Sequence, residues 1–347
     1  MQAHRKRPGI VVATIAAVAV LIAACSSGSD SGSDDSKSLT VYSGRNEQLV
    51  GPVIDGFTEK TGIQVEVRYG KSAELAALLV KEGDKTPADV FYAQDAGATG
   101  SVALEGLYSK LPGSITSRVE PRFVGTDNDW VGITGRARVI VYNTDKLDES
   151  QVPTSVFDLT APEWKGRVGI APTNASFQAF VSAMRLQVGD DKTKQWLEDM
   201  KANDAQIYAN NIAIVEATIA GEIDAGLVNS YYLPRIEAES GGNVPAKNFY
   251  LEGGDPGALV NVSGAGILKS ASDQDTAAQF VEYLLSDDAQ KYFTEKTYEY
   301  ALVAGIPAPQ GNPPLSEVEG SDPNVDLTKL GEELPSTIKM LEETGLL

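Results

Sequence analysis

Strand-like and helix-like segments alternate along this chain, and two apolar, glycine-interrupted runs cut across the alternation: WVGITGRARVIVYNT (130–144) and GALVNVSGAGILKS (257–270). That pattern restricts the fold more than any single motif. The first part reads β-α-β-α. LTVYS (39–43) is a strand, EQLVGPVIDGFTEKTG (47–62) an amphipathic helix closed by Gly62, and IQVEVRY (63–69) a second, alternating strand. SAELAALLVKEG follows as a helix with Ser72 as its cap, ADVFYAQD as a short buried strand, and a further helix covers 97–105. Such an order gives a parallel-rich sheet whose ligand crevice lies at the carboxyl ends of its strands. Asn46 and Gln94 fall just past two of those ends.

The middle repeats the theme with strands at 167–171 and 223–229 and helices over 176–187, 190–202 and 211–220. The two long apolar runs then read as crossings between two lobes. Two separated crossings require sequence after about Val262 to complete the first lobe. The expectation is an α/β protein of two discontinuous domains around a cleft: 39–136 with 262–311 as lobe 1, and 137–261 with 312–347 as lobe 2. No repeat of solenoid period is visible.

Residues 1–24 have the form of a signal peptide, with Arg5, Lys6 and Arg7 ahead of an apolar run from Ile10 to Ala24 that is too short to span a bilayer. LIAAC ends on Cys25, the only cysteine, where a bacterial lipobox places its lipidated residue. The Ser/Gly/Asp segment behind it (25–38) has nothing to bury and reads as a solvated tether. These features put the folded part, about 310 residues, on the extracytoplasmic face of a cell membrane, held by its lipid. The formal net charge is −19, and loss of Arg5, Lys6 and Arg7 with the signal makes it −22. So acidic a chain is unsuited to nucleic acid or to anionic lipid surfaces.

Chemistry is limited by what the exported part lacks. Its only histidine, His4, leaves with the signal and no free thiol remains, which excludes Ser/His/Asp and Cys/His catalysis and zincin-type sites. A metal held there is restricted to oxygen ligands, and phenolate is worth its deprotonation cost only against a hard, highly charged cation such as ferric iron. NSYYLPR presents Tyr231 and Tyr232 side by side after the strand IDAGLVN, with Asn229 or Ser230 as a helix cap. At a helix start the two rings diverge by about 100° and can still reach one point. A tyrosine pair is also a common packing or stacking unit, and 13 tyrosines supply about half such a pair by chance. APTNASFQAF places Asn174, Ala175 and Ser176 at a second helix start, where small residues leave N–H groups open to an anion, and Asn211 opens a third. A capped helix with no ligand fits each site equally well. Carboxylate pairs are too plentiful in this chain to point to a hydrolase.

LTVYSGRNE, TPADVFYAQDAG, GRARVIVYNTDKL, PEWKGRVGIAPTNASFQAF and GEIDAGLVNSYYLPR, followed by DPGALVNVSGAGILKS, together resemble the bacterial ferric-iron-binding proteins of ABC importers. The likeness runs from about Leu39 to beyond Phe293. It implies a type II periplasmic-binding-protein fold, no enzymatic activity, and a monomeric lipoprotein that delivers ferric iron to a permease and ATPase. By position it implies Tyr231 and Tyr232 as phenolate ligands. It further implies a synergistic anion, phosphate or carbonate, held by Asn174, Ala175, Ser176, Asn211 and Asn229. Phe177 stands where some carbonate-using members have another tyrosine, which disfavours that variant. Asn46 and Gln94 replace the histidine and glutamate ligands of well-known members. Neutral amides are poor ferric ligands, so the expectation is that both contact metal-bound water, or that Glu47 or Asp95 turns inward. Arg45 and Arg136 lie near the cleft and either pair with the anion or form structural salt bridges, and Tyr142 packs beside the hinge. The alternative keeps the fold and binds an oxyanion or a small organic solute, such as a phosphonate or polyamine, without iron.

Overall fold

The computed structural model describes residues 37–252, 254–318 and 325–347. The signal peptide, Cys25 and the tether up to residue 36 lie outside the described residues. Among the described residues no helix is long and apolar enough to cross a membrane.

Ten strands form a single hydrogen-bonded sheet. They are β1 (Ser38–Ser43), β2 (Gln64–Tyr69), β3 (Val90–Ala93), β4 (Trp130–Asn143), β5 (Val168–Ile170), β6 (Gln206–Ile207), β7 (Ala225–Asn229), β8 (Ala246–Phe249), β9 (Val260–Ile267) and β10 (Tyr300–Ala301). Their order is β2-β1-β3-β9-β4-β7-β5-β6, with β8 and β10 also on β4. Pairing is parallel inside each half, β1 with β2 and β3, and β5 with β6 and β7. It is antiparallel wherever β4 or β9 takes part. The expected crossings are these two strands.

Strand β4 changes partner along its length. Trp130 to Ala137 run against β9, and from Arg138, opposite Asn229, it runs against β7. All 14 of its residues are buried, including two arginines. The residues flanking this switch therefore stand between the halves, whose cores are separate. One core gathers Val41, Phe57, Phe91, Trp130, Phe280 and Leu330. The second half packs one cluster around Ile140, Phe177, Phe180, Trp196 and Leu341, and another around Val139, Val228 and Tyr300.

The helices form where periodicity and caps agree. They are α1 (Glu47–Thr61), α2 (Ser72–Glu82), α3 (Ala96–Leu104), α4 (Ala175–Val188), α5 (Asp190–Ala202), α6 (Asn211–Ile219), α7 (Tyr232–Ser240), α8 (Gln274–Leu284), α9 (Asp287–Tyr292) and α10 (Leu330–Glu343). Gly62 ends α1 at φ 77°, a left-handed value that a β-carbon would strain. Two caps differ from expectation, those of α2 and α7. Lys71 holds the cap position of α2, and the Ser72 hydroxyl instead accepts the Gln94 N–H at 2.9 Å. Helix α6 opens at Asn211 as expected, and Asn210 caps it, which frees the Asn211 side chain to turn inward. Tyr231 stands at the start of α7 with no side-chain cap, because Asn229 belongs to β7 and the Ser230 N–H is bound by the Ala137 carbonyl.

Helix α10 joins the two halves. Its first turn packs on α3 and its body on α4. Leu330 belongs to the first core, and Met340 and Leu341 to the second. Gly100 and Gly331 make the α3 contact possible: a β-carbon at Gly100 would come 2.7 Å from the Thr328 carbonyl, and one at Gly331 would come 2.6 Å from the Ser101 nitrogen.

Candidate functional site

Residues from both halves and both crossing strands meet around a narrow cavity with room for about one water molecule. Its lining is Gln94 and Asp95 from the end of β3, Arg136 and Asn261 from the crossings, and Ser176 and Asn229 from the second half. Four of these positions follow from strand ends or the partner switch in β4, where an α/β sheet opens its crevice.

The tyrosines stack. Their ring centroids are 4.1 Å apart at 29°, rather than diverging, since Tyr231 precedes the helix that Tyr232 begins. Such a pair contributes about 0.5–1.5 kcal/mol beyond its buried area. Tyr231 is buried and Tyr232 half-buried. Burial pushes the Tyr231 phenol well above its usual range, Tyr232 and Glu299 add to the rise, and Arg136 and Arg45 oppose it. Those same neighbours place Tyr231 beside a buried charge cluster.

That cluster has Glu299 at its centre, fully enclosed. Arg45 donates to its Oε2 at 2.5 Å, and Arg136 Nε stands 3.5 Å from its Oε1. Thr297 donates to Oε2 at 3.0 Å. Arg136 also donates to the Gln94 carbonyl. Burial alone would weaken the Arg45 cation, but Glu299, with Tyr92 and Tyr231, more than offsets this and raises its pKa. Both arginines thus form structural ion pairs, one of the two roles expected for them.

A second polar group forms in lobe 2. The Asn174 side chain caps α4 by accepting the Ser176 N–H at 3.0 Å and the Ser176 hydroxyl at 2.7 Å. Asn211 Nδ2 reaches Asn174 Oδ1 at 3.3 Å and Ser176 Oγ at 3.1 Å. Arg138 Nη1 makes long bonds to Ser176 Oγ at 3.4 Å and Asn229 Oδ1 at 3.5 Å. Asn174, Ser176, Asn211 and Asn229 are therefore linked into one shelf, with Ala175 exposed beside it. One expectation needs correction: the Ser176 N–H is not open to an anion, because Asn174 already takes it.

Gln94 faces the cavity, whereas Asn46 is exposed and caps α1 by accepting the Gln48 N–H at 2.8 Å. The structure does not bring Asn46 into the cluster. Glu47 is exposed in the first turn of the same helix. Asp95 caps α3 through the Ala98 N–H at 2.9 Å; burial raises its pKa, against bonds from Ala98 and Gly97 and the charge of Arg136. Phe177 is enclosed against Phe180 and Trp196, and Tyr142 packs in the same core. Among the described residues no group of three or more His, Cys, Asp or Glu side chains could hold a metal.

Sequence reasoning missed Glu299 and Arg138. The signal for Arg138 was present: Arg136 and Arg138 sit two apart in an apolar strand and so share one face. Glu299, in TYEYAL, gave no comparable sign, since its partner Arg45 is 254 residues away.

The model of the bacterial extracellular solute-binding proteins matches residues 85–319. The chain belongs to that family. Among the relatives of this solute-binding protein is the Fe(3+)-binding periplasmic protein of Serratia marcescens, 35% identical over 89% of this chain and 90% of the relative. The major ferric iron-binding protein of Neisseria gonorrhoeae is 34% identical over 89% and 93%. Among solved structures, iron-bound HitA from Pseudomonas aeruginosa superposes with a TM-score of 0.84 at 36% identity, covering 89% of this chain and 99% of that one. The solute-binding protein accordingly has the two-lobed α/β fold of periplasmic binding proteins.

Proposed function

We propose that this chain is the lipid-anchored solute-binding subunit of an ABC importer, with Cys25 as its anchor, and that it captures ferric iron with a synergistic anion for delivery to the permease and ATPase. The observation that carries this reading is the stacked Tyr231–Tyr232 pair beside a linked polar shelf, in a chain whose exported part has no imidazole or thiolate. The names of its relatives point the same way. Tyr231 and Tyr232 are the phenolate ligands. Asn174, Ala175, Ser176, Asn211 and Asn229 form the anion side, which takes phosphate or carbonate. Water completes the coordination, with Gln94 at the cavity to bond it; Asn46, which caps α1, stays outside. Lobe 1 (39–136, 262–311) and lobe 2 (137–261, 312–347) close over the ligand, and the protein works as a monomer.

The Tyr231 phenol, held protonated at neutral pH by burial, must lose its proton to bind iron. Its pKa is raised, so the neutral form is favoured in the folded protein throughout the physiological range, and iron competes with that proton. Affinity rises by about tenfold per pH unit for each phenol proton displaced, and falls correspondingly on acidification.

Ferric salt or ferric citrate added to the protein gives a visible tyrosinate-to-iron charge-transfer band that fades on acidification. In the double variant Tyr231→Phe, Tyr232→Phe the band is absent. A band that survives in the double variant removes the reading. The alternative, an oxyanion or phosphonate bound without iron, draws on the same shelf, and calorimetry with and without ferric iron separates the two. Three arginines against two carboxylates, Glu299 and Asp95, around the cleft oppose a polyamine.

A further inference from the structure

Three arginines are buried where the halves meet, and their charges are balanced very differently. Arg45 and Arg136 share Glu299. Arg138 is 2% exposed, and among the described residues it makes no ion pair. Its Nη2 donates to the Leu227 carbonyl at 2.9 Å, Nη1 makes the two long bonds to Ser176 and Asn229, and Nε has no partner. The rings of Phe177 and Phe180 stand 5.6 and 5.3 Å from the guanidinium carbon and wall it from water. Burial pulls its pKa down to about 9, with the Tyr232 hydroxyl acting against the fall, and it remains a cation at neutral pH.

A buried charge without a counter-ion is unfavourable unless a ligand supplies the opposite charge. The direction from which a ligand can do so is fixed. Ser176 and Asn229, the two side chains that Arg138 touches most weakly, both line the cavity. Asn211, also on the shelf, is 1% exposed and leaves its Oδ1 without a partner. The start of α4 is already capped by Asn174, so the helix end is not the main source of positive potential.

We propose that Arg138 supplies the fixed positive charge that draws a multiply charged anion onto the Asn174–Ser176 shelf, so that this side of the cleft selects its anion by charge before shape. Arg138 is a positioning residue: it acts through Ser176 and Asn229, one side chain behind the cavity wall, in a medium where a charge is felt far more strongly than in water. The acidic chain makes the local cation more important, since an approaching dianion otherwise meets a repulsive field. The proposal rests on the functional reading above only for the place of the anion.

The test uses the purified chain without iron, titrated by calorimetry with sulfate, phosphate and perchlorate at constant ionic strength and neutral pH. Sulfate and perchlorate are both tetrahedral and differ by one charge. Sulfate and phosphate bind at least about tenfold more tightly than perchlorate. In Arg138→Gln that preference collapses because the divalent anions lose more affinity than perchlorate does, in keeping with their charge; Arg138→Lys retains it. Cooperative melting shows that each variant is folded. A folded Arg138→Gln with the preference intact overturns the proposal. A wild-type chain that binds perchlorate as tightly as sulfate, or neither anion at millimolar concentration, overturns it whether or not the variant folds. A tyrosine-dependent iron band with a flat anion series sinks this inference alone; the reverse result sinks the iron reading and leaves this one standing.

Discussion

The two arginine sites at the lobe junction hold the same type of side chain, equally buried, in opposite electrostatic settings. At Glu299, one carboxylate serves two guanidinium groups and gathers Thr297 as well, forming a compact cluster between β1, β4 and β10. At Arg138, two residues further along β4, the cation faces only neutral dipoles and aromatic rings. The difference separates a group that holds the hinge together from one that leaves charge available to a ligand. A buried ion pair whose partner is removed is far more damaging than a buried charge that was never paired.

The largest expected effect follows directly. Glu299→Gln keeps the shape but strands Arg45 and Arg136 in the interior, and it lowers stability by about 3–5 kcal/mol in chemical denaturation. Arg138→Gln, by contrast, removes an uncompensated charge along with one good hydrogen bond to Leu227. In anion-free buffer its stability stays within about 1 kcal/mol of wild type, the two changes offsetting each other. Equal losses in the two variants would break the comparison. The smallest effect sharpens it from the carboxylate side. Asp95 is buried like Glu299 but relies on backbone N–H groups and the more distant charge of Arg136, and its pKa is raised. A raised carboxylate pKa means that the stability it contributes is present below the unfolded value, about 4, and is lost as pH rises through the folded value. Asp95→Asn keeps the cap, so it is slightly more stable than wild type at neutral pH, and the advantage disappears in thermal melts near pH 3. An advantage that grew on acidification would contradict this.

Much of the architecture was legible because its signals are local. Helix α1 shows amphipathic spacing and a closing Gly62, and helix α5 begins and ends where the spacing of Trp196, Leu197 and Met200 requires. The crossings announced themselves by length, since few strands need 14 buried residues. The tyrosine pair and the shelf were also visible, as helix starts following strand ends. What was not legible depends on pairing over long sequence distance. Which arginine receives a counter-ion is decided by Glu299, placed against β4 by β10, and nothing near residue 299 records that. The cap position of α7 moved by one or two residues, because β7 runs through Asn229.

Helix α10 gives the two halves a third mechanical link, and the link is uneven in stiffness. Its first turn is fastened to α3 with glycines at the contact, so almost nothing there can slide. On either side of Pro335, Arg185 of α4 donates to the Glu333 carbonyl and to Thr337 Oγ1, both at 3.0 Å, and the far end is held by apolar packing of Met340 and Leu341. The helix is about 20 Å long. In the proposed closing of the lobes, rotation about the strand junction near Arg138 works against a helix pinned to α3 at its first turn and to α4 through Arg185, so compliance is left to the Met340 end. The amplitude of that motion is limited by how far this end can travel before Leu341 leaves its core.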